Sequence, residues 1–391
     1  MSVWEPEAVK HDPDSTRNGK PGKETMMIMH VYRHGLLICS LFLFAFLAGR
    51  AEAAATAEQL LAEINQLPSN KRQARLAKGA KQEGSVVWYV AMNGNESNEL
   101  RAAFAAEYPF IKLELVSGRS RDLVSRVLAE NRGRKYVYDV TNANSLYLNT
   151  LVEAKAISRD RAPERKSLRE GFFDKEGYYN GIFSTPLVFA FNTNLVAPKD
   201  APRTIEDLLQ PKWKGKLAID QNSYDWLMPI MDYYGEQKGK EIATKLGNQK
   251  LILGRGQSLM GQLIAAGEFS INVASYHNIA FSLKKLGAPV DYVVPKPFVP
   301  VKPPISIYLS SNPPHPHAAA LLIDFLLSKK AQDLGAKNHG RWGSRRDCED
   351  PDHVGDKNPV VSSPEKWSAR IKEVMALSDA LLLQSNMDKG R

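Results

Sequence analysis

Ser85-Val86-Val87-Trp88-Tyr89-Val90-Ala91 is the stretch on which the fold turns. Its β-branched and aromatic residues predict a strand. Outward from it, Glu99–Tyr108 puts Leu100, Ala103 and Phe104 on one helical face. Lys112–Val116 alternates as a second strand, and Leu123, Val124, Val127 and Leu128 form a helical stripe. Val137–Thr141 reads as a third strand. This βαβαβ order predicts an α/β fold with mostly parallel sheets flanked by helices. The pattern restarts after residue 183, with strand-like runs at Pro186–Asn192, Lys216–Asp220, Ser270–Ala274, Val290–Val294 and Ile305–Leu309. Helical stripes at Leu227–Tyr234, Glu241–Leu246 and Leu259–Ala266 lie between them. Upstream, residues 57–83 predict two short helices broken at Leu67-Pro68-Ser69. Residues 318–327 are apolar nearly all round and predict a buried helix. The Pro-rich stretch Pro295–Pro304 predicts a linker or crossover.

The chain has 391 residues, too many for one ordinary domain, and 43% are apolar. Residues 36–47 are an apolar run, interrupted by Ser40, behind Arg33 and His34, followed by the small-residue match Ala51-Glu52-Ala53. A basic start, a short apolar core and small residues describe a secretory signal peptide. Twelve helical residues span about 18 Å, short of the ~30 Å bilayer core. Residues 1–53 are therefore expected to be a cleaved leader, cut after Ala53 or Ala55, and the mature protein to be exported. The leader carries equal numbers of acids and bases, so the +9 charge survives cleavage. Of two cysteines, Cys39 is lost, and Cys348 alone builds no disulfide.

Enzyme templates fail. There is no H-E-x-x-H, C-x-x-C or G-x-S-x-G. Gly256-Gln257-Ser258-Leu259-Met260-Gly261 has phosphate-loop glycine spacing, but Gln262-Leu263 replaces the Lys-Ser/Thr, so it reads as a helix start with Ser258 as N-cap. His315-Pro316-His317 reads as a solvent-facing turn. Cys348 sits among Asp347, Glu349 and Asp350, which raise a thiol pKa. Basic residues are interleaved with acids along the chain, which argues against nucleic acid as a partner. No cofactor is expected, and the chain is expected to be monomeric.

The strand ends remain. Ligands of open α/β sheets sit outside the carboxyl ends of strands, near helix starts whose free N–H groups suit anions. Five such points are rich in small polar or aromatic residues. Tyr89, Ala91 and Asn93 follow the first strand, Gly118-Arg119-Ser120 the second, and Asn142 and Asn144 the third. In the second half, Asp220-Gln221-Asn222-Ser223-Tyr224-Asp225-Trp226 and Ser275-Tyr276-His277-Asn278 take equivalent places. Arg119 and Arg255 can add charge-assisted bonds to an anion. The candidate ligand set is Tyr89, Ala91, Asn93, Gly118, Arg119, Ser120, Asn142, Asn144, Thr185, Tyr224, Trp226, Arg255, Ser258, Tyr276 and His277.

Several runs carry a family resemblance. They are Leu76–Gly84 before the first strand, Asp207–Lys216 before the fourth, Leu263-Ile264-Ala265-Ala266-Gly267-Glu268, His315–Ala320 leading into Asp324–Ser328, and Gly340-Arg341-Trp342-Gly343-Ser344-Arg345. Together they resemble bacterial extracellular solute-binding proteins of ABC importers, in the ferric-iron-type branch of the type 2 periplasmic-binding fold. The resemblance covers roughly residues 70–350. It implies two α/β lobes joined by crossover hinge strands, with ligand between them and an inner-membrane ABC permease as partner. An N-terminal helical segment would take 54–83, one lobe 84–185 plus 295–391, and the other 186–294. Ferric-binding members carry a Tyr-Tyr pair after the strand that follows the Gly-Glu run; here His277-Asn278 stands there, with Tyr276 one step earlier. The expected ligand is therefore an anionic organic or phosphate-bearing compound. Ferric iron or its chelate, held by Tyr276 and Tyr224, is a second class, and a sugar stacked on Trp226 or Tyr276 a third. The rival functions are a secreted enzyme on the same fold and the ligand-binding subunit of a membrane sensor.

Overall fold

The computed structural model describes residues 55–221 and 223–387. The expected leader and Asn222 lie outside them. The strands are β1 (Ser85–Val90), β2 (Lys112–Ser117), β3 (Val140–Asn144), β4 (Ile157–Ser158), β5 (Asn180–Ser184), β6 (Leu187–Asn192) and β7 (Leu217–Asp220). They continue with β8 (Ile252–Gly254), β9 (Ile271–Tyr276), β10 (Val290–Val293), β11 (Val299–Val301), β12 (Ile305–Ser310), β13 (Trp342–Gly343) and β14 (Pro359–Val361).

One sheet has the order β13-β5-β12-β3-β1-β2, with β4 also on β12. The second runs β10-β6-β9-β7-β8. In the first, β1, β2 and β3 are parallel, while β12 pairs antiparallel with both β3 and β5, and β13 antiparallel with β5. In the second, β7, β8 and β9 are parallel, and β6 and β10 antiparallel. The expected α/β architecture is present, but the sheets are mixed rather than mostly parallel. Helical crossovers supply the parallel strands, whereas β12 re-enters the first sheet from the second and so arrives reversed.

Each sheet is covered on both faces. Alternation along β1 sends Val86, Trp88 and Val90 to one core and Tyr89 to another, where Leu123, Val124 and Val127 of the helix Ser120–Arg132 meet it. The helix Pro316–Leu327 is buried along nearly its whole length, as its composition predicts. Leu61, Ile64, Leu76 and Ala80 of the helices Ala57–Asn65 and Ser69–Glu83 share its core. The second sheet packs Ile219, Trp226, Met228 and Ile271 in one core, and Val188, Ala218 and Met260 in another.

The segment after Cys348 departs from expectation. It begins on the first sheet's side, with Val354 in that core, but Trp367, Val374 and Leu382 join the second sheet's core. The helix Ile371–Met387 therefore packs with the second sheet's core. The aromatic body of Trp367 draws it there, with its Nε1 donating to Asp232 at 2.9 Å.

Candidate functional site

Two chain crossings bring the strand ends together. β5 runs through Ser184-Thr185-Pro186 into β6, carrying the chain from first sheet to second. β11 runs through Lys302-Pro303-Pro304 into β12, bringing it back. The Lys302 N–H donates to the Thr185 carbonyl at 3.2 Å, Ser184 Oγ donates to the Lys302 carbonyl at 2.6 Å, and Pro186 bridges to Val301. The register fixes which edges meet here. Ile305 at the start of β12 pairs with Asn144 at the end of β3, and Leu187 at the start of β6 pairs with Tyr276 at the end of β9. Both crossovers thus stand at the carboxyl ends of the parallel strands, where helix starts converge.

Lys302 is the centre of this place. Its Nζ lies 2.7 Å from Asp225 Oδ2, with the two side chains 13% and 7% exposed. Nζ also donates to the Tyr276 hydroxyl and sits 3.8 Å from that ring's centroid. Burial alone would lower the Lys302 pKa; the Asp225 carboxylate and the Tyr276 oxygen outweigh it and raise the value. Burial, with help from Asp225, raises the Tyr276 pKa against the opposing pull of Lys302, so the phenol is neutral. Asp225 Oδ1 is buried without a protein partner. An orphaned carboxylate oxygen in a buried ion pair is an acceptor that a ligand hydroxyl or water can satisfy.

The second half supports this centre with a bonded turn. Asp220 Oδ1 accepts from the Gly256 N–H at 2.9 Å, and Ser223 Oγ donates to Asp220 Oδ2 at 3.1 Å. Gln257 Nε2 donates to Ser223 Oγ at 3.0 Å and to the Ala274 carbonyl at 3.1 Å, and its Oε1 accepts from the Tyr276 N–H at 3.3 Å. Gly256 has φ +100, a conformation that glycine adopts freely, and it precedes the helix Gln257–Ala266. Burial first, then Asp225 and Tyr147, raise the Tyr224 pKa. Tyr147 follows β3, so phenols from both halves share this neighbourhood.

The sequence-derived set divides here. Tyr276, Tyr224 and Thr185 lie at the centre. Asn142 Oδ1 accepts from the Ala91 N–H at 3.2 Å, and Ser120 Oγ accepts from the Asn144 N–H at 3.1 Å, so these four knit the first sheet's strand ends. Asn93 caps the helix Gly94–Glu107, and Gly118 packs against Leu123. Other expectations are corrected. Tyr89 is fully buried, donates to Glu130 at 2.7 Å and stacks on Tyr138, because strand alternation turns it into the sheet's outer core. Trp226 is core. Arg119 is 81% exposed and pairs with Asp122; Arg255 is exposed and gives its guanidinium to the Gln221 amide oxygen at 3.2 Å. Ser258 is exposed and does not cap its helix, whose N-cap is Gly256. His277 is buried and its ring is taken up by other partners, with Nδ1 3.0 Å from the Gly340 carbonyl and Nε2 2.6 Å from Asp352. Lys302, Asp225 and Gln257 were absent from the set. A lone lysine inside Val299–Pro304, followed by two prolines, was the available signal for Lys302.

Chemistry for catalysis is present only in outline. Ser85 Oγ lies 3.1 Å from His315 Nε2, and His315 Nδ1 lies 2.9 Å from the buried Asp139. His315 thus belongs to a bonded cluster, and His317 to another with Glu83, in place of the expected solvent-facing turn. The adjoining helix start at His317 and Ala318 gives its N–H groups to Glu83, at 3.1 and 2.8 Å. The Glu83 carboxylate thus takes up these helix-start donors and caps the helix Pro316–Leu327. Burial, then nearby acids, raises the Cys348 pKa. Among the described residues no group of three or more His, Cys, Asp or Glu side chains could hold a metal.

The chain belongs to the family of bacterial extracellular solute-binding proteins, whose model matches residues 146–363. Iron uptake protein A1 of Synechocystis is 27% identical over 180 residues, 46% of this chain and 48% of that protein. The chain thus spans about half the length of that curated relative. Iron-bound HitA from Pseudomonas aeruginosa superposes with a TM-score of 0.65 at 17% identity, over 76% of this chain and 99% of that one. AfuA from Actinobacillus pleuropneumoniae, with exogenous fructose-6-phosphate bound, gives 0.61 at 20% identity, over 75% and 97%. Trichodesmium FutA, in complex with iron and citrate, gives 0.64 at 18%, over 76% and 99%. At such identities the likeness shows a shared type 2 periplasmic-binding fold.

Proposed function

We propose that this chain is a periplasmic solute receptor that captures a small oxyanion-bearing compound between its two sheets and delivers it to an inner-membrane ABC permease. The observation that carries this reading is the buried Lys302–Asp225–Tyr276 group at the paired crossovers. It is the cation of the cleft, and a ligand carboxylate or phosphate competes with Asp225 for it. The Tyr276 hydroxyl and the N–H groups at the start of the helix Gln257–Ala266 supply further donors. Residues 84–185 with 295–363 form one lobe, and 186–294 with the C-terminal helix the other. The protein acts as a monomer without catalysis, and lobe closure about residues 184–186 and 302–304 presents the loaded form.

Ferric iron or its chelate is the second reading, favoured by one observation. Tyr224 and Tyr276 stand beside Asp225, an oxygen set that suits a hard cation once the phenols lose their protons. The relatives with this fold include proteins solved with iron, with iron and citrate, and with fructose-6-phosphate. Calorimetry with citrate, a hexose phosphate and ferric citrate separates the readings. Binding of the first two without metal supports the anion; binding of ferric citrate alone, with a visible phenolate band, supports iron. Saturable hydrolase turnover would sink both.

A further inference from the structure

We infer that residues 345–387 form a strap across the two sheets, and that the contact between His277 and Asp352 is the pin that limits how far the halves part. The strap starts on the first half. Arg345 bonds to Glu164 and to the Leu327 carbonyl, and Arg169 lies 3.4 Å from Asp350. Val354 is fully buried in the first sheet's core. The strap then pairs β14 in parallel with β11, directly upstream of the Lys302 crossover. It ends on the second half, where Lys366 and Trp367 bond to Asp232, and Arg370 to Glu236 at 2.5 and 3.0 Å. The family model ends at residue 363, so the anchor on the second half lies past the shared region.

The pin sits where this route passes the helix His277–Lys285 of the second half. Asp352 Oδ2 takes both His277 Nε2 and the Tyr292 hydroxyl at 2.6 Å. His277 Nδ1 faces the carbonyl of Gly340, which caps the helix Lys329–His339 of the first half. The ring thus lies between an acceptor on the first half and the Asp352 carboxylate of the strap. Asp352 holds φ +56 and His353 φ +50, a left-handed conformation that residues other than glycine adopt at a cost. The strap adopts it at the very residues that reach His277. Moving the halves relative to one another about the crossovers must break or strain these bonds, so the pin favours the arrangement described here.

Hydrogen exchange on the ligand-free full chain tests this, and its failure is separate from that of the receptor reading, since no solute is involved. In Asp352→Asn, and more mildly in Tyr292→Phe, the amides of Val299, Lys302 and Ser362, which bond across the crossovers and strap, should exchange about tenfold faster. The helices Ala57–Asn65 and Ser69–Glu83 should keep their protection. Unchanged exchange at Val299, Lys302 and Ser362 in both variants would overturn the inference. Uniform acceleration that includes those two helices would also overturn it, because the contact would then serve global stability alone.

Discussion

Lys302 of the returning, proline-rich crossover and Asp225 of the second half are joined by a buried ion pair at 2.7 Å. This bond connects the chain's path between the sheets to the chemistry at their strand ends. Removing one partner leaves the other charge buried and unpaired. Lys302→Met should therefore destabilise the fold by about 3–5 kcal/mol, and Lys302→Met with Asp225→Leu should recover most of that loss. Urea unfolding of the three chains checks it; equal stability of wild type and the single variant would place the pair in solvent.

For ligand affinity, Lys302 and Arg255 separate. If an oxyanion binds at the crossovers, Lys302→Gln should weaken it by about 1.5–3 kcal/mol, the range for a hydrogen bond to a charged group. Arg255→Ala and Arg119→Ala remove exposed cations and should cost less than about 1 kcal/mol. Titration calorimetry with the best-binding solute orders the three. A larger loss in Arg255→Ala would move the site to the outer rim of the helix Gln257–Ala266.

Acid stability should report on Asp352. Hydrogen bonds from His277 first, and from Tyr292, hold its pKa down to about 2, against burial. The unfolded carboxyl titrates near about 3.9. A depressed folded value means the contribution is complete above about pH 4 and is lost as the pH falls toward 2. Asp352→Asn should flatten the acid limb of stability between those values, read by chemical denaturation across the range. An unaltered limb would show that the carboxylate contributes nothing to folding.

Gly79 gives a packing prediction in which two effects oppose. An alanine in a helix interior normally gains about 1 kcal/mol over glycine. Here the added methyl would meet the His317 ring at 2.3 Å, and His317 is itself held by Glu83 at 2.6 Å. Overpacking of about 1–3 kcal/mol should win, so Gly79→Ala should lower Tm. A raised Tm would mean that His317 moves aside freely.

Much of the architecture was readable in the sequence because alternation and helical stripes are local. β1, β2, β6, β7, β9, β10 and β12 fall where β-rich runs stand, and the broken helices before residue 83 and the apolar helix near 318–327 are present. β5 and β13 were missed. Their strand character comes from pairing with β12 and with each other, contacts that no local pattern encodes. The candidate site was legible in part. Strand-end position marked Tyr276 and Tyr224, which lie beside Lys302, and Asn142 and Asn144, which bond at the first sheet's strand ends. It could not distinguish Tyr89, which alternation buries, nor His277, whose partner Asp352 lies 75 positions away. Lys302 was hidden because its role depends on a return crossing of the chain.

The most direct test of the account is thermal denaturation of the wild type, Lys302→Ala and Tyr276→Phe with citrate, a hexose phosphate and ferric citrate. A solute that binds only the folded chain raises its Tm. The account predicts that at least one of these probes raises the wild-type Tm in a saturable way and that both substitutions abolish or sharply reduce the shift. A shift that persists undiminished in both variants would contradict it and place the binding site away from the crossovers.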